Sequence, residues 1–145
     1  MNYHTIPFNE LTTEQLFYIY KLRSEVFIVE QNCAYQDVDD FDLSAHHVLL
    51  MNLDEIIGYA RILPPNINYT QPSIGRVLIE KEHRTKNIGK QLIMHCISQT
   101  QLFYPKQQIV ISAQTYLLKF YTELGFTATG EGYLEDNIPH TKMLL

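Results

Sequence analysis

Residues 74 to 93, IGRVLIEKEHRTKNIGKQLI, leave the chain few ways to fold. The apolar run from Ile74 to Ile79, interrupted by Gly75 and Arg76, is short and rich in β-branched residues, which predicts a buried strand. A charged turn from Glu80 to Lys86 follows. From Ile88 the pattern turns helical: Ile88, Leu92 and Cys96 recur at i, i+4 and i+8, with Gly89, Ile93 and Ile97 beside them. A strand, a tight turn and a helix in succession leave N–H groups at the helix N-terminus without intrahelical partners, aimed at an anion. Arg84, Lys86 and Lys90 surround that point, so a phosphorylated ligand is the expected guest.

The rest of the chain alternates strand and helix signals. Asn2 to Pro7 predicts a first strand. Thr12 or Thr13 caps a helix whose apolar residues Leu16, Ile19, Leu22 and Val26 run to about Phe27. Residues 29 to 45 are polar and aperiodic, with Asp37, Asp39, Asp40 and Asp42 crowded together. They lack the placed Gly and terminal Glu of a calcium loop, so no metal is expected. If the backbone is extended there, Asp37, Asp39 and Asp42 share a side and pair with Arg23 or Arg61. His46 to Asn52 and Glu55 to Leu63 form a hairpin. After the helix at about 88 to 103, a short strand spans Gln108 to Ser112. Leu117, Phe120, Tyr121 and Leu124 recur at helical spacing, with Gly125 as the left-handed C-terminal residue. Phe126 to Glu131 and His140 to Leu145 close the chain as strands, separated by a turn-rich stretch, Glu135 to Pro139. Helices flanking a mixed sheet of about six to seven strands make an α/β fold, expected as a single domain over 1–145.

Composition narrows the function. A net charge of −5 disfavours a general nucleic-acid binder and slightly favours a cationic substrate such as an amine. Cys33 and Cys96 make neither a metal spacing nor a disulfide framework. The N-terminus lacks a signal-peptide pattern and no apolar stretch reaches membrane-spanning length, so a cytoplasmic chain without membrane contact is expected.

The turn Arg84-x-x-Asn87-x-Gly89 resembles the pyrophosphate loop of the GNAT N-acetyltransferase superfamily, with Asn87 where the family usually has Gly. Asn tolerates a left-handed backbone, so the loop survives the change. The predicted element order matches the GNAT fold over essentially the whole chain. A narrower set resembles the ElaA-like subgroup: Leu22-Arg23-x-x-Val26-Phe27-x-Val29-Glu30-Gln31, Arg61-x-Leu63-Pro64, Gly75-Arg76-Val77, and Gly130-Glu131-x-Tyr133-x-Glu135-Asp136-x-Ile138-Pro139-His140.

The resemblance implies acetyl-CoA as cosubstrate and a small-molecule or peptide amine as acceptor, attacked directly in a ternary complex; it leaves room for a homodimer. Such transfer needs a neutral amine, yet an alkylamine is only about one part in 10³ neutral at pH 7. A carboxylate or His must take the proton. Glu80, at the end of the central strand, is the first candidate, with Glu30, His46, His47 and His140 as others. The resemblance assigns oxyanion stabilisation to backbone N–H groups of Val77, Leu78 and Ile79. It assigns the proton for the departing thiolate to Tyr121, which also shares an apolar helix face. Cofactor contacts are expected from Val77, Leu78, Ile79, Arg84, Thr85, Lys86, Asn87, Ile88, Gly89 and Lys90. Arg76 is expected to pair with an acidic residue. A catalytically silent acyl-CoA-binding module and an autoinducer-synthase-like acyltransferase are the alternatives.

Overall fold

A computed structural model describes residues 1–85 and 87–145. Eight strands form one sheet, flanked by three α-helices. In chain order these are β1 (Asn2–Pro7), α1 (Thr13–Arg23), β2 (His46–Asn52), β3 (Glu55–Leu63), β4 (Ser73–Ile79) and α2 (Ile88–Phe103). β5 (Val110–Gln114), α3 (Leu118–Glu123), β6 (Thr127–Ala128), β7 (Tyr133–Glu135) and β8 (Ile138–Leu144) follow. The sheet order is β1-β2-β3-β4-β5-β8-β6, with β7 pairing β8 from outside that path.

Both faces of the sheet are covered, which is why its central strands read as nearly continuous apolar runs. Strand alternation sends Val48, Leu50, Ala60 and Ile62 to one face, against Leu92, Ile93 and Cys96 of α2. Leu49, Tyr59 and Leu78 go to the other, against Ile19 and Leu22 of α1. Thr12 starts α1 with a reciprocal capping box: Gln15 N–H donates to Thr12 Oγ1 at 3.1 Å, and Thr12 N–H donates to Gln15 Oε1 at 2.9 Å. The helix does not stop near Phe27. It widens into a π-helical segment, Ser24–Glu30, which places Val26 and Phe27 in the core.

Two features of β4 shape everything that follows. It pairs antiparallel with β3, but the register slips between Tyr59↔Leu78 and Arg61↔Gly75, so β4 carries one residue more than its partner. At this bulge Arg76 has a left-handed backbone, φ 52°. On its other edge β4 runs parallel to β5, and the two are registered at Ser73↔Val110 alone. Beyond that pair they part, and a cavity of about 380 Å³ opens between them.

The tail differs from the sequence expectation. Tyr133–Glu135 is a separate strand, and Ile138 and Pro139 belong to β8 rather than to a turn. The turn itself is Asp136-Asn137, at φ 50° and 62°, the double left-handed turn that joins strands tightly. Gly125 has φ 101° after α3, as its C-terminal role predicts.

Candidate active site

The cavity between β4 and β5 gathers part of the expected site. Val77, Leu78 and Ile79 line it from β4, Arg84 from the following turn and Tyr121 from α3. Tyr121 is 8% exposed, and its ring packs edge-on against Phe120 and Phe126. Burial, with smaller contributions from Cys96 and Tyr116, pushes its phenol up to about 12, so it stays protonated at neutral pH. Its hydroxyl makes no hydrogen bond to another described residue.

By pleat alternation the N–H groups of β4 divide between its two edges. Glu80 N–H donates to Ile57 O on β3 at 2.8 Å. The N–H of Ile79, and of Val77 one pleat earlier, therefore points to the edge that β5 leaves open.

The turn after β4 departs from expectation in two details. Arg84 does not reach outward. Its Nε donates to Ile79 O at 2.9 Å, and its guanidinium forks onto Glu30, with Nη2 at 2.8 Å from Oε2 and Nη1 on Oε1. Arg84 thereby ties the turn to the π-helical segment and holds the Glu30 carboxyl below its usual range. Asn87 sits at φ −129°, so no left-handed residue is needed there. Thr85, Asn87, Ile88, Gly89 and Lys90 form the turn and the first turn of α2. Lys86 lies outside the described residues. Asn87 gives α2 no side-chain cap. A Cβ on Gly89 would meet nothing nearer than Phe120 Cζ at 4.0 Å. The fold does not require glycine at 89, whereas a phosphate lying against the helix terminus does favour it. The residues present thus fit a CoA pyrophosphate.

Glu80 is not brought to Tyr121. Its pleat parity matches Leu78, which faces α1, whereas Tyr121 packs on the α2 face. The carboxylate meets His83 Nδ1 at 2.7 Å and lines a separate groove with Lys21, Glu25 and Glu55. Among the other candidate bases, His46 stacks on Phe103. His47 is fully buried; its Nε2 faces the Asp42 carbonyl at 2.9 Å, so that nitrogen carries the proton, and Nδ1 accepts from Tyr59 Oη at 2.7 Å. Glu30 and His140 remain on the cavity wall.

The acidic segment is built rather than solvated. Arg23 Nε donates to Asp37 Oδ2 and Nη1 to Asp42 Oδ1, both at 2.8 Å. Arg61 forks onto Asp39 at 2.6 and 3.0 Å and also reaches Asp42 at 2.9 Å. Arg76 completes the network: its Nε lies 2.8 Å from Asp37 Oδ1, off the line of its N–H, and its Nη2 lies 3.3 Å from Asp39 Oδ2. The expected pairing is present, but the backbone reason was wrong. Asp40–Leu43 is a single helical turn, and that turn rather than an extended strand carries Asp42 inward.

Sequence reasoning placed Tyr133 and Glu135 in the ElaA-like set but gave them no role; they flank His140 across the β7–β8 hairpin. The signal was there, in an Asp136-Asn137 turn with Glu135 directly before it and His140 three residues after it.

Residues 9–145 match the sequence model of the family described as Acetyltransferase (GNAT) domain. Protein ElaA of Escherichia coli is 38% identical, over 93% of this chain and 90% of the relative. A UPF0039 protein of Synechocystis is 37% identical, over 99% of this chain and 94% of the relative. The crystal structure of an acyl-CoA N-acyltransferase from Pseudomonas aeruginosa superposes with a TM-score of 0.93 at 34% identity, covering 99% of this chain and 97% of that one. The ElaA crystal structure gives 0.92 at 35%, with the same coverage. With its split sheet, β4 bulge and uncapped helix after β4, the chain belongs to the GNAT family of N-acetyltransferases, among the ElaA and UPF0039 proteins.

Proposed function

We propose that residues 1–145 form one domain that transfers acetyl from acetyl-CoA to an amine by direct attack in a ternary complex. The observation that carries this reading is the parting of β4 from β5. It leaves the unpaired N–H groups of Val77 and Ile79 and the protonated Tyr121 on the walls of one cavity. When bound, acetyl-CoA supplies an activated acyl group and an anionic pyrophosphate.

The first turn of α2 from Asn87 to Lys90 holds the pyrophosphate, with the basic side chains of Lys86 and Lys90 adding attraction. Val77 and Ile79 donate N–H to the oxygen that becomes negative as the amine attacks, where a fixed donor contributes most. Tyr121 gives a hydrogen bond to the departing sulfur. Its phenol, near 12, is a weaker acid than a thiol in water, so donation to a desolvated thiolate is favoured over early transfer. Glu135 and Asp136 at the cavity favour a positively charged acceptor. Two free cysteines suit a reducing compartment such as the cytoplasm. Free thiol released from acetyl-CoA only when an amine is present tests the reading.

A further inference from the structure

We propose that His140, braced by Glu135, takes the proton from the attacking amine; the inference rests on the transfer reading above. Glu80 lies on the opposite face of the sheet, and His46 and His47 are committed to packing. Glu30 faces the cavity but is held ionised by Arg84. His140 faces the same cavity without a cationic partner among the described residues.

Its geometry suits a proton acceptor. Nδ1 lies 2.7 Å from Ile138 O, a carbonyl that only accepts, so Nδ1 carries the proton of the neutral ring. That leaves the Nε2 lone pair directed at Glu135 Oε2, 3.3 Å away. An Nε2–H formed there by proton transfer finds the Glu135 carboxylate within hydrogen-bonding reach. The ring is 7% exposed, and Tyr133 stacks on it at 6.3 Å and 20°, fixing its plane. Tyr133 is itself tied to Ser112 on β5 by its hydroxyl. The charged and titratable groups on this side are Glu135 and Tyr133 on β7, Asp136 in the turn with the Cys33 thiol on its carbonyl, and Tyr69 beneath Lys142. Arg76, on the facing strand, is already neutralised by Asp37 and Asp39.

The protons balance as follows. The ammonium gives one proton to His140 Nε2, and the freed lone pair forms the N–C bond to the thioester carbonyl. As the C–S bond breaks, the sulfur keeps the electron pair and Tyr121 supplies its proton. The nitrogen loses its second proton on becoming an amide, and that proton restores Tyr121 through solvent. His140 returns its own to solvent, so each turnover releases one proton and one CoA thiol.

The test uses the full chain, with n-butylamine, glucosamine and a lysine-containing peptide as acceptors. His140→Gln should lower kcat/KM by about 10²-fold or more and abolish the acidic limb of the pH–rate profile, while CoA affinity is kept. Glu135→Gln removes the carboxylate that braces the Nε2 edge of the ring, so kcat/KM should fall by less than in His140→Gln while CoA affinity is kept. Glu135 is half exposed, so this variant carries the test if His140→Gln misfolds. Nitrogen-15 NMR of the free protein should find the neutral ring protonated on Nδ1. Wild-type kcat/KM and an unchanged limb in His140→Gln would overturn the inference alone, as would a neutral ring protonated on Nε2. No thiol release by the wild-type chain with any of the three amines would overturn the transfer reading and this inference with it.

Discussion

Asp37 lies 2.8 Å from the guanidinium of Arg76, and Arg76 is where the central strand turns left-handed. A left-handed non-glycine residue costs about 1–2 kcal/mol, so the bulge needs something to hold it. Asp37 and Asp39 supply that from the acidic segment, while Arg61, directly opposite Gly75 on β3, grips Asp39 and Asp42. The bulge that turns Val77 towards the cavity and the acidic segment are therefore one mechanical unit.

Breaking that unit should show in stability. Arg23 and Asp42 are both essentially sealed from solvent, and Asp42→Ala leaves two buried guanidinium groups short of a carboxylate. A loss of about 3–5 kcal/mol is expected by urea unfolding. A variant within 1 kcal/mol of wild type, on the order of a surface change, would mean the network adds little.

The same carboxylate predicts an acid limb of stability. Burial alone would raise Asp42, but Arg23 and Arg61 outweigh it and hold the carboxyl below its ordinary 3.8. Its contribution is thus complete above that value and lost as pH falls through the lower folded value. Tm should drop steeply below about pH 4, and less steeply in Asp42→Asn at matched ionic strength.

Gly89 separates binding from folding. Gly89→Ala adds a Cβ with nothing nearer than 4.0 Å, inside a helix. The protein should gain about 0.5–1 kcal/mol in unfolding free energy. CoA affinity by calorimetry should fall, because the methyl occupies the approach of the pyrophosphate. Equal CoA affinity in the two proteins would move the phosphate away from this turn.

Lys90 is exposed on the same helical turn. Lys90→Glu should weaken CoA binding and make its salt dependence shallower, since one cation fewer remains to be screened. An unchanged slope between low and moderate salt would count against a role for this side chain.

Much of this was legible in the sequence, and the failures have physical reasons. β2 and β3 are long, apolar and joined by a two-residue turn, so their ends were read directly. β7 is three exposed residues and carries no burial signal. The π-helical segment runs past Phe27 into polar residues because tertiary packing, not periodicity, holds it. The left-handed Arg76 could not be read, although the Gly75-Arg76 break in the apolar run marks the place. Glu80 was expected as a candidate base from its place at the end of the central strand; its carboxylate lies with His83 on the α1 side, the face that Leu78 already takes.

The most direct test of the account is Tyr121→Phe, assayed by amine-dependent thiol release from acetyl-CoA. The ring and its contacts with Phe120 and Phe126 are kept, so Tm should hardly move. With chemistry limiting, kcat should fall by about 10²- to 10⁴-fold while the KM for acetyl-CoA changes far less. A Phe variant turning over at the wild-type rate would contradict the account, as would a wild-type chain that binds CoA and releases no thiol with any amine.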